Sequence, residues 1–205
     1  TSTTLIGKYT QTEQQEKRDK HLKTIKSKVK YLNNILDDFL SVERLETGKV
    51  SYKFSHFPLS KVTNEVIYDA NMLLKEGQKI SYPTNIDDIV LDFDEKILEL
   101  VLTNLINNAI KYSLENTTID IEAFTKNNLL YIIIKDEGIG IPEKEQKFIF
   151  KRYFRAENAL LNQGTGIGLN IIKSHLENLN GSINFTSEID KGSTFTVTLP
   201  LTSNQ

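Results

Sequence analysis

Two glycine-containing motifs in the second half of the chain constrain its fold more than any other feature. The first, residues 136–142, reads Asp-Glu-Gly-Ile-Gly-Ile-Pro and follows the apolar run of residues 129–134. The second, residues 164–169, reads Gly-Thr-Gly-Ile-Gly-Leu and precedes a stretch with helical spacing. Neither matches a P-loop or a Rossmann fingerprint. Together they predict an ATP pocket of another architecture.

The composition allows a buried core and excludes several classes of protein. Of the 205 residues, 39% are hydrophobic. The chain has 25 basic and 27 acidic residues, which gives a net charge of −2. This balance leaves no basic field for a nucleic-acid partner. The chain has no cysteine, which excludes thiolate metal sites and fits a reducing, cytoplasmic location. No apolar run has the length of a membrane span, so we expect no membrane contact here, while the parent protein can still be anchored in the inner membrane.

A single long helix is predicted over residues 11–47. Its apolar positions recur every three or four residues, as in a coiled-coil seam: Leu22, Ile25, Val29, Leu32, Leu36 and Phe39. Gly48, followed by Lys49, is a plausible stop signal. A solvated helix packed on its own domain is one interpretation, but the narrow seam favours a helical bundle or a dimer.

From Val50 onward, strand and helix patterns mix without a regular βαβ alternation. Strands are predicted near residues 52–56, 78–82, 88–93, 119–123, 129–135, 182–188 and 193–199. Helices are predicted from Pro58 to near Gly77, over 94–112 and over 167–179, with a polar, irregular stretch at 142–164. The pattern predicts an α+β fold: an α/β sandwich whose mixed sheet is covered on one face by three helices and preceded by the long helix.

The helix predicted over 94–112 carries an unusual polar face. Asn104, Asn107, Asn108 and Lys111 fall within two turns, although asparagine is a mediocre helix former. Amide oxygens suit Mg²⁺, which also keeps water and phosphate oxygens, and a lysine one turn away can neutralise phosphate charge. The alternative is a helix face that is simply exposed to water. The glycine motifs elsewhere in the chain favour the binding site over this alternative.

Asp136 follows the buried strand and is predicted to bind the base. An ionised carboxylate only accepts hydrogen bonds, so it selects the amino group of adenine and repels O6 of guanine. Gly138 and Gly140 leave space for the flat base. The alternative is an ordinary turn, since this residue composition is common in turns.

The second motif is predicted to bind phosphate. Gly164, Gly166 and Gly168 lie at a helix N-terminus, where N–H groups and the helix dipole favour an anion, although such glycines alone are weak support. Between the motifs, Arg155 or Arg152 is a candidate to stabilise charge on the terminal phosphate. The polar residues 156–163 are predicted to form a lid.

The order of these motifs resembles that of the sensor histidine kinases. Residues 104–113, Asn-Leu-Ile-Asn-Asn-Ala-Ile-Lys-Tyr-Ser, resemble their N box, and residues 136–142 their G1 box. Residues 148–155 are similar to the F box and residues 164–169 to the G2 box. Residues 36–49 resemble the end of the dimerisation helix of that family. The resemblance covers nearly the whole chain.

This resemblance implies a Bergerat-type ATP-binding fold, shared with gyrase and a large heat-shock chaperone. Residues 1–48 would be a partial dimerisation and phosphotransfer region, and residues 49–205 the ATP-binding catalytic domain. The implied partners are ATP, Mg²⁺, a response-regulator receiver domain and a second copy of the parent protein through the long helix. The implied roles are metal binding by Asn108, catalysis by Asn104, Lys111 and Arg155, and nucleotide binding by a larger set: Asn108, Lys111, Tyr112, Asp136, Gly138, Gly140, Gly164, Thr165, Gly166, Gly168 and Leu169.

One departure from the family pattern concerns the phosphoacceptor, a histidine followed directly by Glu or Asp. The three histidines here are His21, His56 and His175, and none has an acidic successor. The chain also begins without an initiator methionine, and Thr1–Tyr9 resembles the far end of the first dimerisation helix. We therefore expect the phosphoacceptor to lie outside this segment of a longer protein, with His21 as the alternative.

Two other functions compete with a kinase. ATPases of the gyrase or chaperone type place a glutamate four residues before the metal-binding asparagine, as a general base for water. Here that position holds Asn104, which cannot take a proton at neutral pH, and this favours transfer over hydrolysis. A nucleotide-binding module without chemistry is the third possibility.

Overall fold

The computed structural model describes residues 1–9, 14–83, 86–162 and 164–201, apart from the side chains of residues 30, 31 and 34. It divides into two compact units, Thr1–Gly48 and Lys49–Gln205. The helices are α1 (Ser2–Lys8), α2 (Gln15–Glu46), α3 (Leu59–Asn71), α4 (Glu95–Tyr112), α5 (Glu143–Gln146) and α6 (Gly168–Asn178). The strands are β1 (Phe54–Pro58), β2 (Lys79–Ser81), β3 (Val90–Asp94), β4 (Thr118–Lys126), β5 (Leu129–Lys135), β6 (Ser182–Glu188) and β7 (Gly192–Pro200). Within the described ranges, no helix has both the length and the apolar character that crossing a bilayer requires.

The first unit consists of α1 and α2. The long helix predicted over residues 11–47 is present as α2 from Gln15 to Glu46, and residues 11–13 of that prediction lie outside the described part of the chain. The apolar seam of α2 faces solvent: Leu22, Leu32 and Leu36 are 51%, 62% and 58% exposed. A helix with such a seam has an apolar face for a partner to cover.

The second unit is built on a five-stranded sheet with the order β2-β4-β5-β7-β6. Only β2 and β4 are parallel; the other neighbours are antiparallel. Along β4, Ile119 and Ile121 are buried, whereas Asp120 and Glu122 point to the opposite face, as the two-residue period of a strand requires. Helices α3, α4 and α6 share one core with the apolar face of the sheet. The predicted α+β sandwich with its N-terminal long helix is confirmed.

Two predicted elements differ in detail. The strands near 52–56 and 88–93 form, as β1 and β3, a separate antiparallel pair outside the main sheet. A two-residue alternation identifies a strand but not its partner, so this pairing was not predictable. The helix that follows Pro58 ends at Asn71 rather than near Gly77. The residues after it turn back, and two of their side chains bind the end of α4.

Helix α4 places the polar face identified in the sequence. Asp94 caps its N-terminus, since Oδ1 accepts hydrogen bonds from the N–H groups of Lys96 at 3.0 Å and Ile97 at 3.1 Å. The apolar side of the helix is buried in the core through Leu98, Val101, Leu102, Leu105, Ile106, Ala109 and Ile110. The helix is therefore fixed in rotation, and its asparagines lie on the side away from the core.

A buried histidine on α6 makes stability depend on pH. Nδ1 of His175 lies 3.1 Å from Oη of Tyr52, and Oη also accepts a hydrogen bond from Nδ2 of Asn178 at 3.1 Å. Burial lowers the pKa of His175, and the nearby Asp94 carboxylate opposes this only in part. Burial likewise raises the pKa of the Tyr52 hydroxyl. The fold therefore favours the neutral form of His175.

Lowering the pH is expected to destabilise the fold through His175. Because the unfolded chain takes up this proton near pH ~6.5 and the folded chain does so only at lower pH, stability is lost as the pH falls through that value. Between about pH 7.5 and 5.5, the melting temperature of His175→Gln should fall by a few °C less than that of the wild type. His56→Gln, at an exposed position of β1, is the control for the loss of a histidine as such. An identical pH profile for His175→Gln and the wild type would contradict this assignment.

Candidate functional site

The amide side chains of α4 form one wall of the site. Asn104, Asn107 and Asn108 are half-buried on the helix face away from the core. Among the residues that the structure describes, no side chain or backbone group hydrogen-bonds the amides of Asn104 and Asn108. Half-buried amides without protein partners have their oxygens available to a ligand or a metal.

Lys111 and Tyr112 lie at the end of the same helix. Nζ of Lys111 donates a hydrogen bond to Oη of Tyr112 at 2.9 Å and lies 4.5 Å from the centre of its ring. Lys111 also faces the second glycine motif, because a Cβ atom on Gly164 would come within 2.9 Å of Nζ. The structure thus brings the N-box lysine and the first G2-box glycine together.

Asp136 occupies the end of β5 and is buried, with 6% of its surface exposed. Its Oδ1 accepts hydrogen bonds from the N–H of Gly138 at 2.8 Å and the N–H of Ser193 at 3.2 Å. Burial raises the pKa of the carboxyl above its usual value, and these two hydrogen bonds oppose that shift. Since both bonds end on Oδ1, Oδ2 is the oxygen that can accept from a ligand.

The G1 loop packs between the end of α4 and the β6–β7 turn. Ser113 and Gly138 form an isolated antiparallel bridge, and the N–H of Ile139 donates to O of Tyr112 at 3.2 Å. Gly140 has φ = +63°, and a Cβ atom there would overlap the backbone carbonyl of Glu188. A residue with a side chain is therefore excluded at Gly140 by both strain and space.

The G2 segment leads into α6 beside the amide wall. Oγ1 of Thr165 accepts a hydrogen bond from the N–H of Ile167 at 3.3 Å. A Cβ atom on Gly166 would lie 2.7 Å from O of Phe154, and one on Gly168 would lie 2.5 Å from Oδ1 of Asn104. The side chain of Leu169 packs against the core. The N-terminus of α6 is thus in contact with Asn104.

Arg155 is hydrogen-bonded to the irregular segment that follows it. Its Nη2 donates to the backbone oxygens of Ala159 at 2.6 Å, Leu160 at 3.2 Å and Asn162. Nε of Arg152 donates to Oδ1 of Asn170 at 3.1 Å. The guanidinium predicted to reach a terminal phosphate therefore holds the lid backbone in this structure, and those bonds must open before Arg155 can take the predicted role.

The segment predicted to form a lid is connected to the G1 loop. Nδ2 of Asn158 donates to O of Gly140 at 3.0 Å, and the N–H of Glu157 donates to Oε2 of Glu145 at 3.1 Å. The irregular stretch predicted over 142–164 includes the short helix α5 and one 3₁₀ turn, Glu157–Ala159.

Ser193 and Ser187 belong to the site although the sequence analysis missed them. Ser193 is 8% exposed, and its carbonyl accepts from the N–H of Asp136 at 2.9 Å in addition to the bond that its own N–H donates. Oγ of Ser187 lies 2.9 Å from Oγ of Ser193 and accepts from the N–H of Ile141 at 2.9 Å. The only sequence signal was the turn around Gly192, where φ is +100° and a Cβ atom would overlap O of Asp136.

The fold and the site define a nucleotide-binding α/β sandwich with two glycine-containing segments at its site. Its family follows from a match of residues 93–203, more than half of the chain, to the "Histidine kinase-, DNA gyrase B-, and HSP90-like ATPase" family. The chain belongs to this family.

The curated relatives narrow the family to its histidine kinase branch. BarA of Escherichia coli K12, a signal transduction histidine-protein kinase, is 33% identical over 189 residues, covering 85% of this chain and 20% of BarA. The sensor histidine kinase WalK of Bacillus subtilis 168 is 32% identical over 177 residues, covering 83% of this chain and 29% of WalK. The chain thus spans less than a third of the length of either relative.

Solved structures agree with this placement. The catalytic domain of the histidine kinase ThkA is 26% identical and superposes with a TM-score of 0.62, covering 73% of this chain and 97% of that domain. The histidine kinase AdeS of Acinetobacter baumannii shares the fold with a TM-score of 0.71 at 20% identity, covering 100% of this chain and 96% of that one. The second unit contains the matched ATPase-family domain and is similar to the catalytic domains of sensor histidine kinases.

Proposed function

We propose that this chain transfers the γ-phosphoryl group of ATP to a histidine, from which it passes to an aspartate on a response-regulator receiver domain. In the first step the bond between the γ-phosphorus and the β,γ-bridging oxygen breaks, a bond from phosphorus to an imidazole nitrogen forms, and ADP leaves. The observation that carries this proposal is the contact between the N-terminus of α6 and Asn104. This contact supports an amide, and not an acid, as the group that lies beside the expected phosphates.

The positions of the side chains support the proposed roles. Oδ2 of Asp136 accepts a hydrogen bond from the amino group of adenine. Gly138 and Gly140 shape the loop beside the base. Lys111 and Tyr112 contact the phosphates. The backbone of the segment that leads into α6 approaches the phosphates. This segment comprises Gly164, Thr165, Gly166, Gly168 and Leu169. Arg155 acts on the terminal phosphate only after the lid rearranges.

The donor set also fits Mg²⁺. Among the described residues no cluster of three or more His, Cys, Asp or Glu side chains can hold a metal by itself. A neutral amide oxygen with phosphate oxygens and water is, however, a suitable magnesium environment, and Asn108 supplies an amide that no described residue hydrogen-bonds. When bound, the ion neutralises phosphate charge; Asn108 is the residue that would hold it.

An ATPase of the gyrase or chaperone type is the alternative. That reaction needs a general base for water near the γ-phosphate, and Asn104 is not basic at neutral pH. The position of Asn104 against Gly168 supports transfer to a protein acceptor. A nucleotide-binding module without chemistry would use the same residues to bind ATP, and the labelling experiment below distinguishes it from a kinase.

We propose that the acceptor histidine lies outside these residues, since none of the three histidines has an acidic neighbour on its C-terminal side. We further propose that residues 1–48 belong to a helical dimerisation region and that the exposed seam of α2 packs against further helices in a homodimer of the parent protein, which acts in the cytoplasm.

Isothermal titration of ATP and GTP, with and without Mg²⁺, tests nucleotide binding. We expect ATP to bind more tightly with Mg²⁺ and GTP to bind at least about 30-fold more weakly, because the Asp136 carboxylate repels O6 of guanine. Equal affinity for both nucleotides would mean that the base is recognised elsewhere.

Labelling with γ-labelled ATP tests the acceptor assignment. We expect no label on this chain alone, and transfer of label to a separate helical segment that carries the histidine. His21→Gln is the matched variant: label on the wild type that is lost in His21→Gln would move the acceptor into this chain.

A further inference from the structure

The last turn of α4 leaves backbone carbonyls that cannot be bonded within the helix. O of Ala109 accepts from the N–H of Ser113 at 3.1 Å, and O of Tyr112 accepts from the N–H of Ile139 in the G1 loop at 3.2 Å. The carbonyls of Ile110 and Lys111 lie between these two. Both accept side-chain hydrogen bonds from the turn that follows α3.

Lys75 and Gln78 supply those donors. Nζ of Lys75 donates to O of Lys111 at 2.9 Å and also to O of Ser113. Nε2 of Gln78 donates to O of Ile110 at 3.3 Å and to O of Leu114 at 2.8 Å.

The turn that bears these side chains is closely packed and hydrogen-bonded within itself. Gln78 is buried, with 6% of its surface exposed, and its Oε1 accepts from the N–H of Lys75 at 2.9 Å. Gly77 has φ = +68°, and a Cβ atom there would overlap Oδ1 of Asn116. The donors to the end of α4 are therefore held in place by backbone shape and by each other.

The last turn of α4, which Lys75 and Gln78 hydrogen-bond, carries residues that are proposed to bind the nucleotide. Lys111 and Tyr112 are its last helical residues, and Ser113 bridges Gly138 beside Asp136. A displacement of this backbone would move the ammonium of Lys111 away from Gly164, which it closely faces. The same displacement would disturb the bond between Ile139 and Tyr112.

We propose that Lys75 is a positioning residue for the nucleotide site, acting through Lys111. This inference rests on the proposed function, because it assigns Lys111 to phosphate. The ammonium group of Lys75 donates to two carbonyls at once and lies at the negative end of the α4 dipole, where a cation is favoured. Lys75 thereby fixes the backbone from which Lys111 extends toward the phosphates.

A double-mutant cycle tests the route of this effect. The dissociation constant for Mg·ATP is measured by titration calorimetry for the wild type, Lys75→Met, Lys111→Ala and the double variant. We expect Lys75→Met to weaken binding about 10-fold in the wild-type background and less than about 2-fold when Lys111 is already alanine, because residues that act through one another are not additive. Lys75→Arg should restore binding to within about 3-fold of the wild type.

Lys61→Met is the matched control, because Lys61 also contacts α4, through Glu95 at 2.7 Å at its other end. It should leave ATP affinity unchanged. If Lys75→Met fails to fold, as judged by circular dichroism, Lys75→Gln replaces it in the cycle with the same expected pattern.

Two results would overturn the inference: an ATP affinity of Lys75→Met within 2-fold of the wild type, or the same fold loss in both backgrounds, which would mean that Lys75 attracts phosphate directly. A wild-type chain that does not bind ATP would instead refute the proposed function.

Discussion

Replacing Asp136 with asparagine is expected to weaken ATP binding severely while the fold stays intact. The N–H groups of Gly138 and Ser193 both donate to Oδ1, so the asparagine oxygen must occupy that position. The amide nitrogen then replaces Oδ2 and presents a donor to the amino group of adenine. Loss of a hydrogen bond to a charged group and the new donor–donor contact should raise the dissociation constant about 100-fold or more.

The same variant should not lower stability. Because burial raises the pKa of Asp136 above its unfolded value, the folded state disfavours the ionised carboxylate, and its ionisation at neutral pH reduces the free energy of unfolding. A neutral asparagine that keeps both backbone bonds removes this penalty. We therefore expect the melting temperature of Asp136→Asn to equal or exceed that of the wild type.

GTP provides a second measurement on this variant. The asparagine N–H₂ can donate to O6 of guanine, so the ratio of GTP to ATP affinity should rise from wild type to Asp136→Asn. Asp120→Asn is the control, since Asp120 lies on the open face of β4, and it should change neither affinity. Unchanged ATP binding by Asp136→Asn would show that the base is recognised elsewhere.

The sequence predicted those parts of the fold that depend on local pattern. Helix α4 was predictable from its apolar period, and Asp94 begins it as a typical capping residue. The β4–β5 hairpin was predictable from its alternation and the two asparagines between its strands, both of which have positive φ. The pairing of β1 with β3 depends on contacts distant in sequence, which such patterns do not specify.

The candidate site likewise contains residues that the sequence identified and residues that it did not. Asp136 and the asparagines of α4 were identifiable because each breaks a local rule: a carboxylate after a buried strand and amides in a helix. Ser193 was missed because its role depends on the register of β5 and β7, which pairs Lys135 with Thr194. Lys75 was missed because its helix was predicted to continue to Gly77.

The lid shows a further limit of sequence reasoning. Composition predicted a polar, irregular segment, and it identified Arg155 as a cation near the second glycine motif. It did not indicate that this guanidinium would donate hydrogen bonds to the carbonyls of Ala159, Leu160 and Asn162. Backbone carbonyls of an irregular segment need donors, and a nearby arginine with five N–H groups satisfies several of them at once.

Replacing Asn108 with alanine should remove the effect of Mg²⁺ on ATP binding. The half-buried amide of Asn108 has no hydrogen-bond partner among the described residues, so its loss leaves no protein group unpaired. Alanine is also the better helix former, and the melting temperature should not fall. In titrations with Mg²⁺ and with a chelator, the wild type should gain affinity from the ion. Asn108→Ala should bind ATP with one and the same weak affinity in both conditions.

Phosphoryl transfer should depend on Asn108 more strongly than binding does. We expect Asn108→Ala to label a separate histidine-bearing helical segment at least about 100-fold more slowly than the wild type, since the terminal phosphate loses its charge neutralisation. Asn108→Asp should retain part of the dependence on Mg²⁺, because a carboxylate oxygen is also a magnesium ligand. Asn107→Ala, one position earlier on the same half-buried face, is the matched control and should behave as the wild type. If Asn107→Ala lost the magnesium effect and Asn108→Ala kept it, the ion would be held from the neighbouring position on α4.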